Sequence, residues 1–263
     1  MRADTEAHGQ GGLLQRGGLV NAMTVDIEDY FHVSAFTDHI DRADWDNRPT
    51  RVVRNVELVL ELFREHHVRG TFFVLGWVAE RHPGLVRRIV DEGHELASHG
   101  FGHVKIHRQT PAEFRADVRK TRLLLEDVGG VQVRGYRAPS FSIGAGTMWA
   151  FNVLEEEGYE YSSSVYPIRH DHYGMPEAPR FAFKPLDSVD ILECPVSTLS
   201  LLGRNLPCGG GGYFRLLPYA ASRWAMRRVN RLDEKPCVFY FHPWEIDPDQ
   251  PRVPGLPLKT RVR

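Results

Sequence analysis

The sequence predicts an α/β fold, a mainly parallel sheet, open or closed into a barrel, formed as one domain. Three observations lead there. Short apolar runs alternate with longer amphipathic segments, the order that parallel strands with crossover connections require. A chain of 263 residues that is 42% hydrophobic is long enough to bury the core of such a fold. Polar residues of catalytic type also collect where the apolar runs end, and α/β folds gather their reacting groups at the C-terminal ends of strands.

The elements follow in order. GLVNAMTVDI (18–27) reads as a first strand running into acidic residues, and RVVRNVELVLELFREHHV (51–68) has helical periodicity. GTFFVLG (70–76) is a strand closed by glycine, followed by helical segments interrupted near Pro83 and a short strand in HELASH (94–99). Thr110-Pro111-Ala112-Glu113 is a capping box with proline at the first helical position, and Gly129-Gly130 marks the end of that helix. VQVRGYR (131–137) is the next strand and TMWAFNVLEEEG (147–158) the next helix. DILECPV (190–196) and PCVFYFHPW (236–244) are later strands, with the helix YAASRWAMRRVNRL (219–232) between them. The domain is expected over 19–250, with a Gly/Gln-rich disordered extension at 1–18 and a Pro-rich extended tail at 251–263.

Charge is nearly balanced, 33 basic against 34 acidic residues, which gives no electrostatic footprint for nucleic acid or an anionic membrane. No apolar run approaches the ~18 residues that span a bilayer. The absence of a secretory leader and the unpaired cysteines Cys194, Cys208 and Cys237 predict a cytoplasmic, reducing location, at the inner membrane surface if the glycan precursor lies there. The cysteines themselves are expected to be small core hydrophobes.

Within SHGFGH (98–103), His99 and His103 form an i, i+4 pair that one helical turn or a tight glycine-assisted loop would converge. Alone, the pair reads sooner as a hydrogen-bonded polar loop than as a metal site. His94-Glu95 is not a zinc-protease signature, because HELASH is one residue too long for HExxH. In TVDIEDYFHV (24–33), strand alternation points Asp26 and Glu28 to one face and Asp29 to the other. Two histidines and one carboxylate make a common facial set for a catalytic divalent metal. His242, at the end of VFYF, has a pKa range suited to proton donation, and Arg137 would hold Asp26 ionised.

Taken in order, TVDIEDYFHV, SHGFGH, GYRAPSFSI, ECPVS and FYFHPWE resemble the motifs of the NodB-type polysaccharide deacetylases, carbohydrate esterase family 4, in the branch associated with exosortase and exopolysaccharide systems. The resemblance runs from about residue 20 to the C-terminus. It implies a single-domain distorted (β/α) barrel, a divalent cation that is usually zinc (cobalt, nickel or iron being alternatives), and removal of acetyl groups from an N-acetylated oligo- or polysaccharide. By motif it implies Asp26 as catalytic base, His99 and His103 as metal ligands, and Arg137 as the tether of the base. It further implies the Ser140 backbone N–H as oxyanion donor and His242 as general acid.

Two departures stand out. Ile27 separates Asp26 from the next acid, so Glu28 is expected as the metal ligand, with Asp29 the fallback. Ala138-Pro139-Ser140 replaces the usual proline-tyrosine after the arginine. The chain also stops sooner after the last motif than this branch often does, which predicts loss of a terminal packing element. Tyr213, in CGGGGYFRLLP (208–218), and Trp244 are candidate sugar-binding aromatics, the alternatives being an ordinary connection for the glycine-rich segment and core packing for Trp244. The glycine run lacks the ending of a phosphate loop and the helix opening such a loop needs. His170, Asp171 and His172 are read as loop residues rather than a second metal site. Rival readings are an allantoinase-like amidohydrolase of the same fold and an inactive carbohydrate-binding barrel; the histidine pair opposes the first and Asp26, Arg137 and His242 together oppose the second.

Overall fold

The alternation resolves into nine strands and seven α-helices among the residues that the computed structural model describes, 18–37, 39–170, 173–251 and 253. The N-terminal extension and all but Pro251 and Val253 of the tail predicted beyond residue 250 lie outside them, as do Asp171 and His172. In chain order the elements begin β1 (Ala22–Ile27), α1 (Val52–Glu65), β2 (Gly70–Val74), α2 (Gly76–Arg81), α3 (Pro83–Asp91), β3 (Glu95–Ser98) and α4 (Pro111–Gly129). They continue with β4 (Gly135–Tyr136), α5 (Trp149–Glu156), β5 (Tyr161–Ser162), β6 (Leu192–Glu193), the hairpin β7 (Thr198–Leu201) and β8 (Arg204–Pro207), α6 (Gly211–Leu216), α7 (Tyr219–Arg228) and β9 (Val238–Phe241).

Seven strands form one sheet in the order β6-β5-β4-β3-β2-β1-β9, and every neighbouring pair in it is parallel. The sheet curls into the distorted barrel the sequence predicts. Its two edges are joined by the irregular segment after β6 instead of an eighth strand. Ser197 N–H donates to Val238 O (3.2 Å) and Val238 N–H donates to Ser197 Oγ (2.8 Å). That detour explains why DILECPV yields a ladder only at Leu192–Glu193: beyond Glu193 the chain must cross to β9.

The central strands read as continuous apolar runs because both faces are covered. Val25, Ile27, Phe72, Phe73, Val74, Leu96 and Ala97 are all buried. The buried face of α1 is Val52, Val56, Val59, Leu60 and Phe63, the period of an amphipathic helix packed on a sheet. In α4 the capping box forms as predicted, Thr110 with Glu113, and Gly130 ends the helix in the left-handed region (φ 65°). Cys208 and Cys237 are buried and Cys194 is half-buried, all as free thiols.

Three elements differ from expectation. VQVRGYR pairs only at Gly135–Tyr136, because Val131, Gln132 and Arg134 remain exposed after the helix cap. The predicted helix at 219–232 splits into α7 and a π-turn over Val229–Asp233. The glycine run does open on a helix, α6, with Gly210 (φ 110°) pressed against β9, where a Cβ would lie 1.9 Å from Tyr240 O.

Candidate active site

The C-terminal ends of β1, β3, β4 and β9, with α6, line a cleft of about 720 Å³ that contains Asp26, Glu28, His99, His103, Ser140, Tyr213, His242 and Trp244. Arg137 lies beneath them. Apart from the fallback acid Asp29, the candidate site residues read from the sequence therefore lie at one place.

Strand geometry separates the two acids. Asp26 and Glu28 both face the cleft, while Asp29 is turned away and fully committed. Its carboxylate accepts from Tyr30 N–H (2.9 Å), Thr50 Oγ1 (2.8 Å), Arg51 N–H (2.6 Å) and Val52 N–H (3.0 Å), capping the start of α1. Asp29 is thus a structural cap, and Glu28 is the carboxylate beside the histidines.

Glu28, His99 and His103 present one ligand atom each, all within 4.8 Å of one another. Glu28 Oε2 is buried and lies 2.9 Å from His103 Nε2, which can donate to it only when that nitrogen carries the proton and not when it serves as a metal ligand. A buried carboxylate oxygen left without a donor costs free energy, and a cation beside it would satisfy it. Burial raises the Glu28 carboxyl, but the His103, His242 and His99 imidazoles outweigh it and hold it well below the usual carboxylate range. His99 Nδ1 is 2.8 Å from Arg137 O; a carbonyl only accepts, so Nδ1 carries the proton and Nε2 keeps its lone pair for a ligand. Burial lowers the His99 imidazole to about 4, so it is neutral at physiological pH, as a metal ligand must be. The residues fit a divalent cation.

The histidine pair converges by a loop and not by a helical turn. Gly100 (φ 73°) and His103 (φ 55°) are left-handed, and the loop is pinned by Gly76 N–H to Gly100 O (2.9 Å) and Trp77 N–H to Phe101 O (2.8 Å). From α4, the Asp117 carboxylate accepts from Phe101 N–H (3.1 Å). Burial pushes that carboxyl up to about 6. Asp117 was not singled out from the sequence, where it reads as one more acid on a helix face.

Asp26 Oδ1 accepts from Arg137 Nη1 at 2.7 Å, with the arginine side chain 0% and the aspartate 3% exposed. The guanidinium also donates to Thr24 Oγ1 (2.8 Å), Ser163 O (3.0 Å) and Ser163 Oγ (2.8 Å), and it stacks 4.1 Å over Phe73. Glu193 braces this arrangement. Its Oε1 accepts from Ser164 N–H (2.9 Å) and Val165 N–H (2.8 Å), holding the segment that presents Ser163, while burial pushes its carboxyl up to about 7.

On the opposite wall, His242 Nδ1 is 2.6 Å from Glu245 Oε1. A carboxylate accepts, so Nδ1 donates and Nε2 faces the cleft, 3.9 Å from Asp26 Oδ2 and 3.6 Å from Glu28 Oε1. Burial alone would lower this imidazole, but the Glu245 hydrogen bond and the Glu28, Glu245 and Asp26 charges raise it to about 9. Arg215 of α6 pairs with Glu245 in turn. The Trp244 ring stacks on His242 (centroids 4.7 Å apart), and its indole N–H donates to Glu28 Oε1 (3.2 Å). Its polar edge is therefore occupied by Glu28. The Glu245 signal was present in HPWE, an acid three residues after the histidine on a 3-10 turn.

Ser140 sits in the left-handed region (φ 54°), as does Phe141 (φ 49°), which turns this backbone into the cleft rim. Ser140 Oγ lies 2.6 Å from Ser34 Oγ, tying the loop after β4 to the one after β1.

With this geometry, one group can hold a cation, one can take a proton, and one can give it back. The polysaccharide deacetylase family matches residues 44–162, and a domain of unknown function (DUF3473) matches 163–263. The peptidoglycan-N-acetylglucosamine deacetylase of Bacillus cereus is 33% identical over 81 residues, 31% of this chain and 30% of that protein. A chitooligosaccharide deacetylase of Bradyrhizobium is 43% identical over 60 residues, 23% of this chain and 27% of that protein. The matched segment thus spans less than a third of the length of either relative. Among solved structures, one from Mycobacterium smegmatis assigned to the polysaccharide deacetylases superposes with TM-score 0.59 at 25% identity, covering 88% of this chain and 79% of that one. A family 4 carbohydrate esterase from Streptomyces lividans shares the fold, with TM-score 0.50 at 17% identity over 86% of this chain and 80% of that one. Residues 44–162 thus match the polysaccharide deacetylase family, within a fold that the chain shares over most of its length with the Mycobacterium smegmatis structure.

Proposed function

We propose that the chain hydrolyses the N-acetyl groups of an N-acetylated oligo- or polysaccharide, or of its precursor, releasing acetate and leaving a free amine on the sugar. The observation that carries this reading is the joint placement of a buried Glu28–His99–His103 cluster, an arginine-tethered Asp26 and a Glu245-bound His242 around one cleft. The named activities of the Bacillus and Bradyrhizobium relatives support it. An exopolysaccharide as the natural glycan rests on the motif resemblance.

Glu28, His99 and His103 would hold a divalent cation, zinc first among the candidates, and such an ion polarises a carbonyl and makes water acidic near neutral pH. Asp26 accepts the proton of the attacking water. Arg137 fixes that carboxylate in place, because its guanidinium cannot leave the pocket without abandoning four hydrogen bonds. The Ser140 N–H, presented at the cleft rim by its left-handed backbone, donates to the developing oxyanion; one such donor is worth about 3 kcal/mol. His242, protonated at neutral pH, gives its Nε2 proton to the departing amine, and Glu245 stabilises the charge that it carries beforehand. Tyr213 and the rim residues of α6 would contact the sugar.

The test is acetate release from N-acetylglucosamine oligomers by the full chain, metal-stripped and then zinc-restored. Zinc-dependent release is the expected result. No acetate from acetylated oligosaccharides at full metal loading, or hydrolysis of a cyclic amide such as allantoin instead, would reject the proposal.

A further inference from the structure

The near-zero net charge of the chain hides one strongly one-sided segment. From Phe214 to Leu232 there are five arginines and no Asp or Glu. Arg215 turns inward to Glu245, but Arg223, Arg227, Arg228 and Arg231 pair with no carboxylate among the described residues, and the neighbouring Asp233 is taken by Arg180 at 2.8 Å.

The apolar side chains of the same segment lie on the wrong side for a helix that serves only the core. The buried positions of α7 and its π-turn are the small Ser222, Ala225 and Val229. The large ones face out: Tyr219 is 67%, Trp224 52% and Leu232 63% exposed. Trp224 lies under the Arg228 guanidinium (5.8 Å), and four arginines with Trp224 and Leu232 line a shallow hollow of about 400 Å³.

We propose that this face of α7 docks on the surface of an anionic phospholipid bilayer. Cations beside large exposed apolar side chains on one helix face are what such an interface selects, the arginines for headgroup phosphates and the Trp, Tyr and Leu side chains for the acyl boundary. A nucleic-acid backbone would use the arginines but leave Leu232 and Leu216 without a role. The placement also suits the cleft: α6, whose half-exposed Leu216 lines it, runs into α7 through Leu217-Pro218. A bilayer-docked chain would keep its cleft beside the membrane surface. This inference does not depend on the reaction catalysed.

The experiment is co-sedimentation of the full chain with vesicles of phosphatidylcholine alone and of phosphatidylcholine with phosphatidylglycerol, at low and high salt. Binding to the phosphatidylglycerol vesicles only, weakened by salt, is expected. Arg227→Ala with Arg231→Ala, and separately Arg223→Ala with Arg228→Ala, should each weaken binding by roughly 25-fold, about fivefold per arginine. Trp224→Ala should weaken binding while leaving its salt dependence unchanged. Equal binding to both vesicle types, binding to neither, or arginine variants that melt and bind like the parent would overturn the proposal. So would tighter binding to a DNA duplex than to the anionic vesicles at the same salt.

Discussion

The two walls of the cleft are built by different means. Asp26, Glu28, His99 and Arg137 stand on the ends of central strands, all buried, and each of them but Glu28 is fixed by a buried hydrogen bond that crosses from one strand end to another. His242, Trp244, Arg215 and Tyr213 stand just after β9, on a 3-10 turn and on a six-residue helix, none of them buried, with His242 and Arg215 both held by Glu245. The first wall is part of the core, so its geometry exists before substrate arrives. The second is a rim that can adjust to a sugar. Damage to the first should cost folding as well as catalysis, and damage to the second should cost rate or pH range alone.

The largest effect should come from Arg137→Met. Removing one member of a buried pair leaves the other charged and unpaired, a loss of about 3–5 kcal/mol. For a domain of this size the melting temperature should fall by on the order of 10 °C, with activity gone. An unchanged melt would mean that the first wall is not part of the core's stability. Next, His242→Asn should lower kcat by roughly 10²–10⁴-fold with melting and metal content unchanged. A destabilised variant would erase the distinction between the walls.

Trp244→Phe keeps a ring against His242 but removes the donor to Glu28, and should weaken metal affinity by about 10–100-fold, read by competition with a chelator. Unaltered affinity would leave Trp244 as a rim residue only. The smallest change is expected from Glu245→Gln. His242 must be protonated to act as the acid, so activity falls as pH rises through its pKa, about 9. Loss of the charged hydrogen bond that raises this value should shift the alkaline limb of kcat/KM to lower pH. A limb that stays in place would show that another group sets it.

The same division governs what could be read in the sequence. Asp26, Glu28, His99, His103, Arg137 and His242 were legible because each follows an apolar run or sits at a fixed spacing, and strand alternation separated Glu28 from Asp29. The capping box of α4 named its own first residue. Less could be read where few residues define an element. β5 is two residues, Tyr161–Ser162, with no period to detect, and the β7–β8 hairpin carries the polar Arg204-Asn205 where a strand pattern would ask for apolar residues. α6 emerges from a glycine run because it is held by contact with β9, a tertiary cause with no local signature. Asp117 and Glu193 act through backbone N–H groups of distant segments, and pairing of that kind leaves no mark in spacing.

In the proposed reaction Glu28, His99 and His103 share one ion. Elemental analysis of the purified full chain beside its His99→Ala variant tests this most directly. One divalent ion per chain in the parent and none in the variant is the predicted result. Equal metal in both, or a parent that binds none after incubation with zinc, would contradict it.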